Sequence, residues 1–151
     1  MMTIDKLKEK YLSTVLALGF ALMNCKFHLS SKIDMESFSD KAIDISSISF
    51  GFLLAVLALL LQSDTPSIQR IKQGGRFNEL INFNKKAVVA SALLAIIALL
   101  YLSFKVAIIH SSIYICGISI HEFIDCVILA VFTFQVIEVY LFLDLFYTII
   151  K

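Results

Sequence analysis

Charged residues are scarce in this chain of 151 residues, and so are several residue types that mark particular classes of protein. Only 17% of the residues are charged, and the chain contains three cysteines, one proline and no tryptophan. The low charge, with a net charge of +1, excludes a disordered chain and a nucleic-acid-binding module. Three cysteines without a C-x-x-C pair exclude a disulfide-rich scaffold and provide no redox or zinc motif.

Apolar residues are abundant instead: they make up 59% of the chain, and the mean hydropathy is +0.87. A soluble domain of this size needs more polar surface, because small globules have much surface for their volume. The charges are also segregated, which leaves apolar runs of about twenty residues, the length that crosses a ~30 Å hydrocarbon layer. The sequence therefore predicts an all-α integral membrane protein, anchored at the membrane surfaces by tyrosine rather than tryptophan.

Four apolar segments predict four transmembrane helices within one polytopic domain, 1–151. Their approximate bounds are 7–27, 44–62, 87–109 and 123–150, with an outer loop over 24–43 and a cytoplasmic connection over 63–86. The first segment also has the basic start and short apolar core of a signal peptide. Asn24 does not suit cleavage before a lipidated Cys25, so we expect the segment to be retained as a membrane helix.

The distribution of lysine and arginine predicts the orientation of the helices. With the N-terminus inside, nine of the 13 basic residues fall on the cytoplasmic side: Lys6, Lys8, Lys10, Arg70, Lys72, Arg76, Lys85, Lys86 and Lys151. Only three fall outside: Lys26, Lys32 and Lys41. We therefore expect both termini to be cytoplasmic.

Small residues that recur every four positions predict helix packing faces, because they allow close approach of backbones in lipid. These residues are Ser13, Ala17 and Ala21 in the first helix, Ser47, Gly51 and Ala55 in the second, and Ala87, Ser91 and Ala95 in the third. Chance also produces such spacing, since membrane helices are rich in small residues. Four helices make a thin bundle, so we expect a homo-oligomer, a tetramer being one arrangement.

Charged side chains inside a membrane need partners. Lys105 lies about one turn from the outer end of the third helix, and Asp125 lies just inside the outer end of the fourth, so the sequence predicts a Lys105–Asp125 ion pair. A structural pair and a mobile charge in a conduction path both fit this pattern. Asp144 lies near the inner surface, where we expect it to reach headgroups or Lys85 and Lys86.

Glu138 lies near the middle of its span, with Gln135 one turn away on the same face. An ionised carboxylate facing lipid at that depth is too costly, so Glu138 must be protonated, hydrogen-bonded or in contact with water. Three interpretations are open at this point: a structural bond between helices, an ion- or proton-handling site, and a depth other than mid-span.

The cytoplasmic connection, TPSIQRIKQGGRFNELINFNKK, has the clearest pattern among the polar segments. Thr65–Pro66 is a helix start, and Gly74–Gly75 ends the amphipathic turns that follow. We expect this elbow to lie on anionic headgroups, to dock a soluble partner, or both. The residues expected to do so are Arg70, Lys72, Arg76, Phe77, Lys85 and Lys86.

The order of the helices and this basic connection resemble the small four-helix membrane subunits of bacterial anti-phage systems, such as the membrane component of Kiwa. The resemblance implies a homo-oligomer in the bacterial inner membrane that detects infection and signals to a soluble DNA-binding effector, without binding nucleic acid itself. It contains no motif through which functional residues could be carried over.

No Ser/His/Asp set, HExxH motif or carboxylate cluster is visible, so we expect no enzyme activity and no cofactor. The histidines His28, His110 and His121 lie near the outer face, where they could bind a metal or sense pH. Their spacing is no recognised ligand pattern, so we expect ordinary interfacial histidines and no metal site. A Cys25–Cys116 disulfide remains open. We expect a non-enzymatic membrane sensor or scaffold coupled to a soluble cytoplasmic partner. The alternative is an ion or proton channel with a Glu138/Gln135 ring.

Overall fold

The computed structural model describes residues 4–27, 32–62, 66–73, 77–109, 114–115 and 118–150. Within these ranges the elements are α1 (Ile4–Phe27), α2 (Met35–Gln62), α3 (Pro66–Gln73), α4 (Phe77–Ile109), β1 (Tyr114–Ile115), β2 (Ile118–Ser119) and α5 (Ile120–Ile150). Among the described residues, three stretches are long and apolar enough to cross a membrane: Met35–Gln62, Phe77–Val106 and Ile120–Thr148. Helix α1 contains a shorter apolar stretch, Tyr11–Asn24. The all-α prediction is confirmed apart from the short β1–β2 pair, and three of the four expected spans are long and apolar enough to cross a membrane.

Two helices begin earlier than their apolar residues indicate. Helix α2 begins at Met35 rather than near residue 44, because Asp34 caps it: Asp34 Oδ1 accepts hydrogen bonds from the backbone N–H groups of Glu36 and Ser37, at 3.2 and 3.4 Å. Helix α4 begins at Phe77 rather than at residue 87, because the amphipathic FNELINFNKK continues directly into the apolar run. The expected outer loop is therefore largely helical, and the elbow consists of α3 and the first turns of α4.

The long helices pack side by side in the order α2, α4, α5, α1. Helices α4 and α5 are joined across the antiparallel pair β1–β2, in which Tyr114 lies opposite Ser119. Hydrogen bonds from Ser13 to Glu138 and from Asn24 to Cys126 show that α1 runs antiparallel to α5. Because α1 packs chiefly on α5, a groove remains between α1 and α4.

Two apolar clusters fill the seams between the helices. The first, which we call the inner apolar cluster after the orientation expected from the sequence, contains Leu53, Leu60, Leu80, Phe83, Ala87, Phe142 and Leu145. The second, which we call the outer apolar cluster on the same basis, contains Met35, Ala42, Leu94, Tyr101, Ile128 and Leu129. The opposite faces of the helices are apolar too: Leu22 of α1, Ile48 of α2 and Val106 of α4 are all more than two-thirds exposed. Such faces suit contact with lipid rather than with water.

The small-residue faces of α1 and α4 are used inside the chain, whereas that of α2 is not. Ser13, Ala17, Ala87 and Ser91 are buried, and Ala21 and Ala95 are half-buried. On α2, by contrast, Ser47, Gly51 and Ala55 are exposed, and nothing lies within 4 Å of the position a Cβ of Gly51 would occupy. The reason is the rotation of α2 about its axis, which directs Ser46 and Leu53 toward the neighbouring helices. Ser47 follows Ser46 and lies about 100° further around the helix, so the face that contains Ser47 is directed away from them.

Candidate functional site

A buried carboxylate joins three helices at what we call the Glu138 cluster: Ser13 of α1, Lys86 of α4 and Glu138 of α5. Ser13 Oγ donates a hydrogen bond of 2.6 Å to Glu138 Oε1, and Lys86 Nζ lies 3.8 Å from the same oxygen. The Glu138 side chain is fully buried, while that of Lys86 is 42% exposed. Within the described residues Glu138 Oε2 has no hydrogen-bond partner. The cluster therefore ties α1 and α4 to α5 through one oxygen atom.

Gln135 extends this arrangement to α2, because Ser46 Oγ donates a hydrogen bond of 3.1 Å to Gln135 Oε1. Gln135 and Glu138 lie one turn apart on α5, and both are essentially inaccessible in the single chain. Their polar groups are directed at other helices of the same chain. A pore ring would need these side chains to face an axis shared between subunits, so this geometry favours the structural interpretation over the ring.

Lys86 lies where the polar first turns of α4 meet its uncharged stretch. Its ammonium group lies 5.4 Å from the centroid of the Phe83 ring, and it is the last charged residue before the uncharged stretch 87–104 of α4. Such lysines bury their aliphatic stem and keep the charge near water. Glu138 was predicted near mid-span; relative to α4, the structure places it at the level of this lysine, at the end of the uncharged stretch.

A second polar group, the Asp125 cluster, contains Glu36, Tyr101, Lys105, His121 and Asp125. The predicted Lys105–Asp125 pair is wrong: Lys105 Nζ donates to Glu36 Oε2, while Asp125 Oδ2 lies 3.2 Å from His121 Nδ1. Because α2 begins at Met35, it brings Glu36 to Lys105. His121 lies one turn before Asp125 on α5, and its imidazole is the polar group that faces the Asp125 carboxylate.

The Asp125 cluster surrounds a cavity of about 300 Å³. Tyr101 Oη lies 3.4 Å from His121 Nε2, and Asp125 Oδ1 has no hydrogen-bond partner among the described residues. No group of three or more His, Cys, Asp or Glu side chains in the described part of the chain could hold a metal ion.

Exchanging the charges of Lys105 and Glu36 tests the observed pairing. Both side chains are partly exposed, at 29% and 61%, so each single reversal is expected to lower the free energy of unfolding by only about 0.2–1 kcal/mol. The double variant Glu36→Lys/Lys105→Glu is expected to regain most of that loss in thermal unfolding in detergent micelles. Recovery by Asp125→Lys/Lys105→Asp instead would show that the sequence-based pairing is correct.

Two buried amides were not recognised in the sequence. Asn24 Nδ2 donates to Cys126 Sγ at 2.9 Å, and Asn84 Nδ2 donates to the carbonyl oxygen of Leu53 at 3.1 Å. The burial of Asn84 could have been predicted from the sequence. Asn84 belongs to a set of buried α4 residues that alternate in steps of three and four: Leu80, Asn84, Ala87, Ser91, Leu94, Ala98 and Tyr101. That spacing is typical of a helix seam.

Of the expected docking residues, only some can be placed. The side chains of Arg70 and Arg76 lie outside the described residues, as do those of Cys25 and Cys116. Lys72 Nζ donates to the carbonyl oxygen of Leu61 at 3.2 Å, and Phe77 packs on the inner apolar cluster. Both therefore support the elbow itself.

Lys85 and Asp144 are both exposed. Neither forms an ion pair with another described residue, so the expected contact of Asp144 with Lys85 or Lys86 is not made. The reason is that Lys86 lies beside Glu138 instead. The headgroup contact expected of Asp144 stays a prediction, as does the docking role expected of Lys85.

No protein-family model, curated protein or solved structure matches this chain. The class that the geometry defines is a bundle of membrane-compatible helices joined by buried polar contacts.

Proposed function

We propose that this chain is a non-enzymatic, homo-oligomeric sensor or scaffold of the bacterial inner membrane, which couples an event at the membrane or envelope to a soluble cytoplasmic partner. The observation that carries the proposal is the continuity of α4 from Phe77 to Ile109. This one helix, about 50 Å long, contributes Lys86 to one polar cluster and Lys105 to the other. A displacement at either end of an unbroken helix is transmitted to its other end.

The orientation we propose has both termini in the cytoplasm, with α1 completing four spans. It places most basic residues inside, in keeping with the positive-inside rule. Lys86 and Lys105 are separated by about 28 Å along α4, close to the ~30 Å of a hydrocarbon layer. In this orientation the Asp125 cluster faces the outer side and the elbow faces the cytoplasm, as a coupling protein requires.

Self-association and partner binding are assigned to different surfaces. The exposed small-residue face of α2, formed by Ser47, Gly51 and Ala55, is available to pack against another copy. The basic elbow, with Lys85 exposed, is available to a soluble protein. The resemblance in layout to the Kiwa membrane component supports a role in anti-phage defence. The channel alternative is disfavoured by the burial of Glu138 and Gln135 within one chain.

Purification in mild detergent from the native host, followed by native mass spectrometry, tests this proposal. We expect an oligomer with a stoichiometric soluble companion. The companion should be lost from the variant Arg76→Glu/Lys85→Glu and retained by Lys41→Glu, a reversal on the proposed outer side. Lys86 is left unchanged because its reversal would also disturb Glu138. A bare monomer, or a companion insensitive to the elbow variant, would contradict the proposal.

A further inference from the structure

The groove between α1 and α4 encloses a cavity of about 800 Å³, with α5 as its floor. It exists because α1 packs chiefly on α5 and leaves the neighbouring face of α4 uncovered. Most of its wall is apolar, and the walls come from all three helices: Ala17, Leu18, Val89, Leu93, Val131 and Phe134. In a bilayer the apolar part of such a groove is filled by apolar matter, since the side chains that line that part offer no group to hold water.

One end of the groove is polar. Lys85 and Lys86 lie there with Asn82 and Glu79, all on the first turns of α4. Glu79 brings an opposing negative charge, but it already interacts with another group. Lys85 is exposed and forms no ion pair with a described residue, and Lys86 is 42% exposed. This end therefore offers the ammonium group of Lys85 to an anion, and beside it that of Lys86, which also faces Glu138.

The groove also has a length that suits a lipid. Its wall on α4 runs from Glu79 to Leu93, which corresponds to about 21 Å along the helix. One leaflet of a bilayer contributes about 15 Å of hydrocarbon. The charged residues occupy one end of the wall and the apolar residues occupy the rest, which is the order of groups in a phospholipid.

We propose that this groove binds one phospholipid with an anionic headgroup. Its acyl chain lies against Val89, Leu93 and Val131, and its phosphate is held by Lys85 and Lys86. Basic pockets between helices on the cytoplasmic side of a membrane are suited to acidic headgroups. The site shares Lys85 with the elbow that we propose docks a soluble partner, and lipid binding is measured with that partner absent, so the two proposals fail separately.

The test uses the full chain in nanodiscs made of phosphatidylcholine with a small fraction of phosphatidylglycerol. Native mass spectrometry after mild release from the discs counts the lipids retained per chain. We expect one phosphatidylglycerol per chain, retained in preference to phosphatidylcholine. Lys85→Ala should lower its retention about fivefold, the effect of removing one lysine from an anionic surface, while Lys41→Ala on α2 should not change it.

A groove-filling variant tests the position of the acyl chain. Val89→Phe, in the groove wall, is expected to displace the lipid, and Val136→Phe, similarly exposed but outside the groove, is expected to retain it. The proposal would be overturned if both lipids were retained equally, or if Lys85→Ala left phosphatidylglycerol retention unchanged. It would also be overturned if a second copy of the chain occupied the groove. Lys85 is a surface residue, so its variant is informative even if Val89→Phe does not fold.

Discussion

Reversing the charge of Glu138 is expected to be the most damaging single change to this bundle. Glu138→Lys places a buried ammonium beside that of Lys86 and removes the oxygen that accepts from Ser13. Breaking a pair in which both charges are buried costs about 3–5 kcal/mol, and because Lys86 is 42% exposed we expect the lower end of that range, about 3 kcal/mol. We expect a corresponding loss in the free energy of unfolding, measured by circular dichroism during denaturation in mixed micelles.

Two further variants show whether that loss arises from the cluster. Lys86→Glu in the same molecule as Glu138→Lys restores opposite charges and is expected to recover a large part of the stability. Glu138→Gln keeps an oxygen that can accept from Ser13, so its cost is expected to stay near the ~0.6 kcal/mol average of hydrogen bonds between membrane helices. A Glu138→Lys protein as stable as the parent would disprove the arrangement.

Enlarging Ala87 is expected to have the second-largest effect. Ala87 is fully buried in the inner apolar cluster, where α4 meets α2 and α5. Ala87→Leu has no space for its added carbon atoms, and overpacking of this kind costs about 1–3 kcal/mol. The melting temperature in detergent micelles should fall clearly below that of the parent protein.

Ala55→Leu is the matched control, because Ala55 also belongs to a small-residue face, that of α2, but is exposed. We expect it to change the stability of the single chain by less than about 0.5 kcal/mol. If the α2 face joins subunits, this variant should instead lower the oligomer mass. Equal destabilisation by both substitutions would mean that the rotation of α2 in the bundle differs from the one described.

The sequence was sufficient to predict which helices exist, but not where all of them begin. Apolar runs locate membrane-compatible helices, because a bilayer requires about twenty apolar residues. They do not reveal polar helix starts such as the turn capped by Asp34, and for this reason Glu36 was assigned to a loop. The incorrect Lys105–Asp125 pair follows from that assignment, since the correct partner of Lys105 lay on an unrecognised helical turn.

Similar reasoning explains what was predicted of the Glu138 cluster. That Glu138 and Gln135 share a face follows from their spacing of one turn along the helix. That Ser13 and Lys86 are the groups near Glu138 depends on which helices are neighbours, and a periodic pattern contains no information about neighbours. Ser13 was identified as a packing residue, and in the structure the same small side chain also donates the hydrogen bond.

Our central claim is that Glu138 is hydrogen-bonded within its own chain, to Ser13 of α1. Cross-linking between cysteines introduced at positions 13 and 138 tests it most directly, with the native cysteines replaced by alanine and a short bifunctional thiol reagent applied to native membranes. The account predicts that Ser13→Cys/Glu138→Cys forms an intrachain product of monomer mass, and that the control Ser13→Cys/Val136→Cys does not. A product of dimer mass for the first pair would contradict the account, because Glu138 would then face a neighbouring subunit.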